Sequence, residues 1–407
     1  MPDAGLPTSE TRSLPKQVVI GGLGLVQILS WGSSYYLLAV LAGPISSDTG
    51  WPMPWIIGAL SAGLLTAGVV SPWVGRAIGR NGGRGILALA VLLLAGGLAI
   101  IGIAPVLPVF IFGWLVLGVG MGAGLYDAAF ATLGGIYGAS ARRAITYLTL
   151  WGGFASTVCW PLSAFFVEQF GWRGACLSYA AIHIAICLPI ILFVVPSSAA
   201  IRSTTDIPHA VADDRLHGPE LRSFFLFAAV LMVGSITMSI VSVHLLALLQ
   251  AQGVTLAVAV ALGALIGPAQ VGARVIEMLC GARLHPIWTL AAAVGLVALG
   301  LILLAAGFPI VALSLLLYGG GNGLYSIARG TLPLALFGPQ RYAPILGRIA
   351  MPNLIAQALA PSLGAVVIAQ VGAQITMSML AALAVANFVL LFALFYVSLK
   401  LRSARPD

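Results

Sequence analysis

From residue 18 to residue 400 the chain repeats one pattern: an apolar run, then a short polar break. Each run is close to the ~20 residues that an α-helix needs to cross ~30 Å of hydrocarbon. The pattern predicts twelve spans. Six run 18–42, 54–75, 85–104, 107–136, 144–167 and 173–195, and six more run 222–249, 254–278, 286–306, 308–333, 345–370 and 373–400. With 60% hydrophobic and only 7% charged residues, the chain has too little charge to cover the surface of a soluble domain. The polar opening, 1–17, leads into a full-length apolar run, which reads as a membrane helix and not as the shorter core of a signal peptide. The expected order is a cytoplasmic tail (1–17), a six-helix bundle (18–195), a cytoplasmic linker (196–221), a second six-helix bundle (222–400) and a tail (401–407).

The formal net charge of +8 gains meaning once it is laid on this map. Lys16, Arg76, Arg80, Arg84, Arg142, Arg143, Arg222, Arg274, Arg329, Arg341, Arg348 and Lys400 fall at one end of alternating spans, and Arg173 falls at the other. Cationic residues are retained on the cytoplasmic side, so both termini are expected there, with the protein in a cytoplasmic-type membrane. The basic balance is therefore topological, and nucleic acid is not an expected partner. His209 and His217, in the linker, read as solvated residues. Cys159, Cys176, Cys187 and Cys280 form no metal-ligand spacing, and no metal or cofactor is expected.

The chain also contains a duplication. Residues 122–133 read GAGLYDAAFATL and residues 321–332 read GNGLYSIARGTL, matching at seven of twelve positions, with Tyr126 answering Tyr325 and Thr132 answering Thr331. A weaker echo links Pro72, Gly75 and Arg76 to Pro268, Gly272 and Arg274. The two copies enter from the same side, which makes a parallel repeat about an axis along the membrane normal. Carriers built this way hold substrate near the midplane and rock one half against the other.

Two six-helix halves, a long middle loop and the stretch GRAIGRNGGRGIL (75–87) resemble the major facilitator superfamily. Gly75, Arg76, Arg80, Gly82 and Arg84 fit that family's loop motif, G-x-L-x-D-R-x-G-R-R, whereas Gly79 stands where its acid is usual. In the family that acid helps lock the cytoplasmic gate, so a different lock is expected here. Trp114 replaces the frequent arginine of the fourth span, and the antiporter glycine-proline motif is not matched in 152–163. The stretch AITYLTLWGGFASTVCWPL (144–162) is similar to a bacterial branch that includes trivalent-arsenic exporters. The resemblance implies an all-α membrane protein of two pseudo-symmetric bundles with a central site lined by spans 1, 4, 7 and 10.

Ionisable groups inside a bilayer are costly and are candidate functional residues for that reason. Asp127 is the acid well inside a span, and Arg329 lies in the matching stretch of span 10, so a pair across the axis is expected to couple protons or gate transport. Arg274 and Glu277, three apart on span 8, are close enough to pair on one helical face. Arg274 is alternatively an anion anchor, because a guanidinium matches a carboxylate's geometry. Gln27, Trp31, Tyr35, Tyr36, Tyr126, Gln270, Asn322 and Tyr325 offer an aromatic wall with a few amides, suited to a small solute. His183 and His244 are further proton-carrier candidates. Cys176 and Cys187 share a helix face but stand about 16 Å apart along it, too far to hold one metalloid together.

These residues point to a proton-coupled secondary transporter, a monomer in the lipid bilayer, for a small organic anion. The alternatives are efflux of trivalent arsenic or another toxic solute, and a transporter-like receptor. No hydrolase, P-loop or metalloprotease motif supports an enzyme.

Overall fold

The computed structural model describes residues 14–197, 216–280 and 284–403, and every regular element in it is helical. In chain order the elements are α1 (Lys16–Gly32), α2 (Leu38–Thr49), α3 (Met53–Asn81), α4 (Gly83–Ile103), α5 (Leu107–Gly124), α6 (Tyr126–Tyr137) and α7 (Ala141–Gly153). There follow α8 (Ala155–Ile182), a π-helical turn (His183–Cys187), α9 (Leu188–Val194), α10 (Gly218–Ala251), α11 (Leu256–Gly263), α12 (Ile266–Cys280), α13 (Pro286–Ala305) and α14 (Val311–Ser403). Among the described residues, seven continuous helical stretches are long and apolar enough to cross a membrane. Two of these, Leu107–Val194 and Val311–Lys400, run 88 and 90 residues, several times the ~20 that one crossing needs. They turn back at glycines in left-handed geometry: Gly171 within α8, and Gly338 and Gly372 within α14. Only glycine takes this conformation without a Cβ penalty. Gly138, which ends α6, and Gly171 lie within a residue or two of one repeat length before Gly338 and Gly372, so the duplication is visible in the chain reversals as well as in sequence.

Four apolar clusters hold the bundle together. One surrounds Phe110, Trp114 and Tyr179, and another surrounds Phe130, Ile145 and Tyr342. Of two more, one around Phe227 and Leu290 takes in Leu216 of the linker and otherwise residues after it, and one around Leu248 and Tyr318 is built wholly from residues after the linker. The first two clusters also take in residues of α14, Ala350 and Leu354 in one and Tyr342 and Leu346 in the other, so α14 knits both parts of the chain.

Where α3 meets α14, glycine faces glycine. A Cβ on Gly75 would meet the Ala343 carbonyl and the Gly347 backbone, and Gly79 lies against Pro344. Bare backbone permits this approach, as at membrane helix interfaces generally. Gly75→Val is expected to pry these helices apart, lengthening the distance between spin labels placed at Arg143 and Leu284. An unchanged distance distribution would count against this packing as a closure.

At the opposite end of the molecule, Trp172 donates its indole N–H to Asp48 at 2.8 Å and Arg173 pairs with the same carboxylate. The indole bond and then the guanidinium hold the Asp48 carboxyl below its ordinary pKa. The stability this pair contributes is therefore present above the usual carboxylate range and is lost as pH falls through the depressed value. Asp48→Asn is expected to lower the unfolding temperature at neutral pH, with the gap to wild type closing on acidification. A gap independent of pH would exclude the ionic contribution.

Candidate functional site

Helices of the first half are interrupted at one level. The α1–α2 junction is irregular over 33–37, α5 ends in an extended Leu125, α7 gives way to α8 at Phe154, and α8 passes into the π-helical turn. Contacts show that these breaks adjoin one another. His183 Nε2 and Ser33 Oγ are 2.8 Å apart, the rings of Trp31 and Tyr126 are 5.1 Å apart, and Gly152 lies against the Tyr126 hydroxyl. Irregular backbone at membrane depth is tolerated only where protein or a cavity surrounds it, and such breaks build the binding sites of many carriers.

An aromatic cluster occupies this level. Trp31 contacts Tyr35, Tyr36 and Tyr126, and Tyr36 continues the wall to Trp160. Beyond Trp160, away from Arg142, an open groove of about 480 Å³ runs between α2 and α8 past Ser156 and Thr157. Gln27 is fully buried and donates through Nε2 to the Gly124 carbonyl at 2.7 Å, satisfying backbone at the α5 break.

Asp127 sits in the first turn of α6, where the positive end of the helix dipole favours a carboxylate. It forms an ion pair with Arg329 of α14, and both side chains are 13% exposed. Behind Arg329, the amide of Asn353 satisfies all its neighbours in one orientation. Its oxygen accepts from Arg329 Nη1 and Nη2 at 3.2 and 3.3 Å, and its nitrogen donates to the Leu231 carbonyl at 3.1 Å and to Ser235. The guanidinium thus spans the interface, with the acid on one half of the chain and the amide on the other. Sequence reading missed Asn353, although a lone amide within an apolar helix is itself a signal.

Arg274 is buried, and its guanidinium rests on backbone oxygens. Nε donates to the Gly323 carbonyl at 3.3 Å and Nη1 to the Thr149 carbonyl at 3.1 Å. The Tyr126 hydroxyl donates to the same Thr149 carbonyl at 3.2 Å, so Arg274 reaches the edge of the aromatic cluster. The expected pairing of Arg274 with Glu277 is replaced by a different one. Glu277 lies 3.4 Å from Arg142 Nη2 and accepts from the Thr289 hydroxyl at 2.8 Å, while Arg142 also reaches the Leu284 carbonyl. Spacing along a helix brings two residues to one face, but here each side chain finds a better partner across a helix interface.

The remaining candidates are more scattered. Tyr325 donates to the Leu231 carbonyl and packs against Gly234, away from the aromatic cluster and within the second half. Gln270 and Asn322 are half-buried near the crossing where Gly323 meets the backbone of Gln270. In the loop motif, Gly82 ends α3 with positive φ, Arg76 lies over the Trp73 ring at 5.9 Å, and Arg80 is exposed and Arg84 half-buried. His244 contacts the Pro361 carbonyl at 2.8 Å, and His209 lies outside the described residues. Among the described residues, no three metal-ligating side chains converge.

The fold now has counterparts. The sequence profile of the Major Facilitator Superfamily matches residues 23–286. This chain is an integral membrane protein and belongs to the Major Facilitator Superfamily of transporters. Its structure is similar to that of the human organic anion transporter MFSD10 (TETRAN), with a TM-score of 0.75 at 17% identity, covering 93% of this chain and 100% of the other. It is similar to the proton:xylose symporter XylE, with a TM-score of 0.73 at 12% identity over 93% and 95% of the two chains. It also resembles FucP in the outward conformation, with a TM-score of 0.69 at 14% identity over 93% and 99%. No curated protein matches the sequence significantly.

Proposed function

We propose that this chain is a proton-coupled secondary transporter of a small organic anion, with its site at the aromatic cluster and Arg274 as the anion anchor. The observation that carries this reading is the setting of Arg274: a buried guanidinium held by two backbone carbonyls, with no carboxylate in ion-pair range among the described residues. A buried cation without a counter-ion is costly, and a carboxylate-bearing solute would supply one. The Tyr126 hydroxyl shares the Thr149 carbonyl with Arg274, and Tyr126 lines the same small cavity as Arg329. Trp31, Tyr36 and Tyr126 give the solute's apolar part a wall to lie on. Asp127 takes the coupling proton, which discharges its pair with Arg329 and frees the two halves to rock.

Twelve crossings are proposed, six in 18–195 and six in 222–400, supported by the matched reversals at Gly138 and Gly338 and at Gly171 and Gly372. The basic end is taken as cytoplasmic in a bacterial inner membrane, with both termini there and one chain as the working unit. At that end Arg142–Glu277 and the packing of Gly75 on Gly347 serve as the lock in place of the absent motif acid. The groove beside Trp160 then opens outward.

The test is counterflow of labelled small carboxylates in liposomes carrying the purified protein. Exchange of a carboxylate supports the reading, and exchange of trivalent arsenic alone would replace it with metalloid efflux. Binding without exchange would make the chain a receptor.

A further inference from the structure

Beside the Asp127–Arg329 pair lies a cavity of about 20 Å³, walled on its apolar side by Ala67, Met121 and Leu354. Three of its lining residues each carry one buried polar atom that no protein group satisfies, Asp127 Oδ1, Arg329 Nε and Trp31 Nε1, whereas the hydroxyl of a fourth, Tyr126, already donates to the Thr149 carbonyl. That set is one acceptor and two N–H donors. A water molecule needs a cavity of roughly 10–15 Å³ or more and two to four polar partners. Its two lone pairs would take the Trp31 and Arg329 N–H groups, and one hydrogen would go to Asp127 Oδ1. A carboxylate solute is too large for this space, and an apolar occupant would leave all three atoms unpaired.

We propose that this cavity is the binding site of a single internal water, and that this water hands the coupling proton to Asp127. The role rests on the reading of Asp127 as proton acceptor given above. Trp31 belongs both to the cavity and to the aromatic cluster, so protons reach the water from the cluster side. The Trp31 N–H gives up its lone pair on the water to the incoming proton, and the water gives the hydrogen already directed at Oδ1 to that oxygen. One O–H bond of the water breaks, the O–H bond of the aspartic acid forms, and the water is regenerated. Oδ2 meanwhile stays with Arg329, whose pair loses its negative member. The charged and titratable groups facing Asp127 are Arg329 and Tyr342 from α14 and Tyr126 from its own helix, whereas α1 and α3 contribute the neutral Trp31 and Ala67.

The test uses purified full-length protein, infrared difference spectra across a pH step in ordinary and oxygen-18 water, and stopped-flow proton uptake with an indicator dye. Wild type should show a water band that shifts with the isotope, is displaced in Trp31→Phe and disappears in Asp127→Asn. Trp31→Phe keeps an aromatic ring, though a smaller one, but loses the N–H, and should slow proton uptake by roughly tenfold, the rate equivalent of one hydrogen bond, with unchanged amplitude. Met121→Phe, which fills the cavity without touching a polar group, should slow uptake likewise. An absent isotope-sensitive band, or uptake at the wild-type rate in both variants, would overturn the water site. If the amplitude persists in Asp127→Asn, the acceptor reading fails instead, and with it the relay. Rate and amplitude thus separate the two failures.

Discussion

Replacing Arg274 with Gln should abolish carboxylate counterflow while leaving the protein at least as stable as wild type. The two expectations follow from the same burial. A charge-assisted hydrogen bond to a bound carboxylate is worth about 1.5–3 kcal/mol, so its loss weakens binding roughly 10- to 100-fold. The folded protein, however, loses a desolvated cation that no acid among the described residues balances, and neutral replacement of such a group costs little. A structural arginine would behave in the opposite way, with its removal unfolding the protein and leaving the affinity of the survivors intact. Thermal unfolding with and without carboxylate, read beside the counterflow rate, distinguishes the cases. Arg274→Lys should retain part of the binding, since the ammonium keeps the charge but cannot form the guanidinium's planar fork.

Asp127→Asn should abolish accumulation driven by a pH gradient and leave counterflow largely intact. The amide preserves the shape of the carboxyl and a hydrogen bond to Arg329 but cannot take a proton, so exchange continues without coupling. Asp127→Ala should be far harsher. It leaves Arg329 buried with only the Asn353 amide, and breaking a buried pair from one side costs about 3–5 kcal/mol. Accumulation and counterflow measured in the same liposomes check the first outcome, and unfolding temperatures check the second. Uptake that still follows the pH gradient in Asp127→Asn would place the coupling group elsewhere.

The helical membrane bundle was legible because water and lipid sort residues so strongly that hydropathy alone sets out the spans. Asp127 and Arg329 were legible for a related reason: charge inside an apolar run is expensive, and the duplicated segment placed both at one depth. Several features were not legible. The breaks at 33–37 and at Phe154 follow SWGSS and WGG, and small residues of this kind serve equally well for close helix packing. Glu277 was assigned to its helix neighbour Arg274, because sequence gives spacing along one helix and not the approach of Arg142 from another. Tyr325 was grouped with Tyr126 as its repeat mate, but its hydroxyl turns to the Leu231 carbonyl inside its own half. The motif residues Gly75 and Gly82 were legible through spacing, whereas the partner of Gly75, Gly347, lies far along the chain.

The two copies of the duplicated segment show how a shared ancestor segment came to do two jobs. Both keep the tyrosine and both keep the glycine whose carbonyl receives a polar side chain, Gln27 at Gly124 and Arg274 at Gly323. They differ where charge is concerned: Ser326 answers Asp127, and Phe130 answers Arg329. The negative charge has thus settled in one copy and a positive charge opposite it in the other. Neither copy could run the cycle as a symmetric pair of itself, since two first copies would bring acid to acid and two second copies cation to cation. Divergence after duplication has made each half need the other to complete this ion pair.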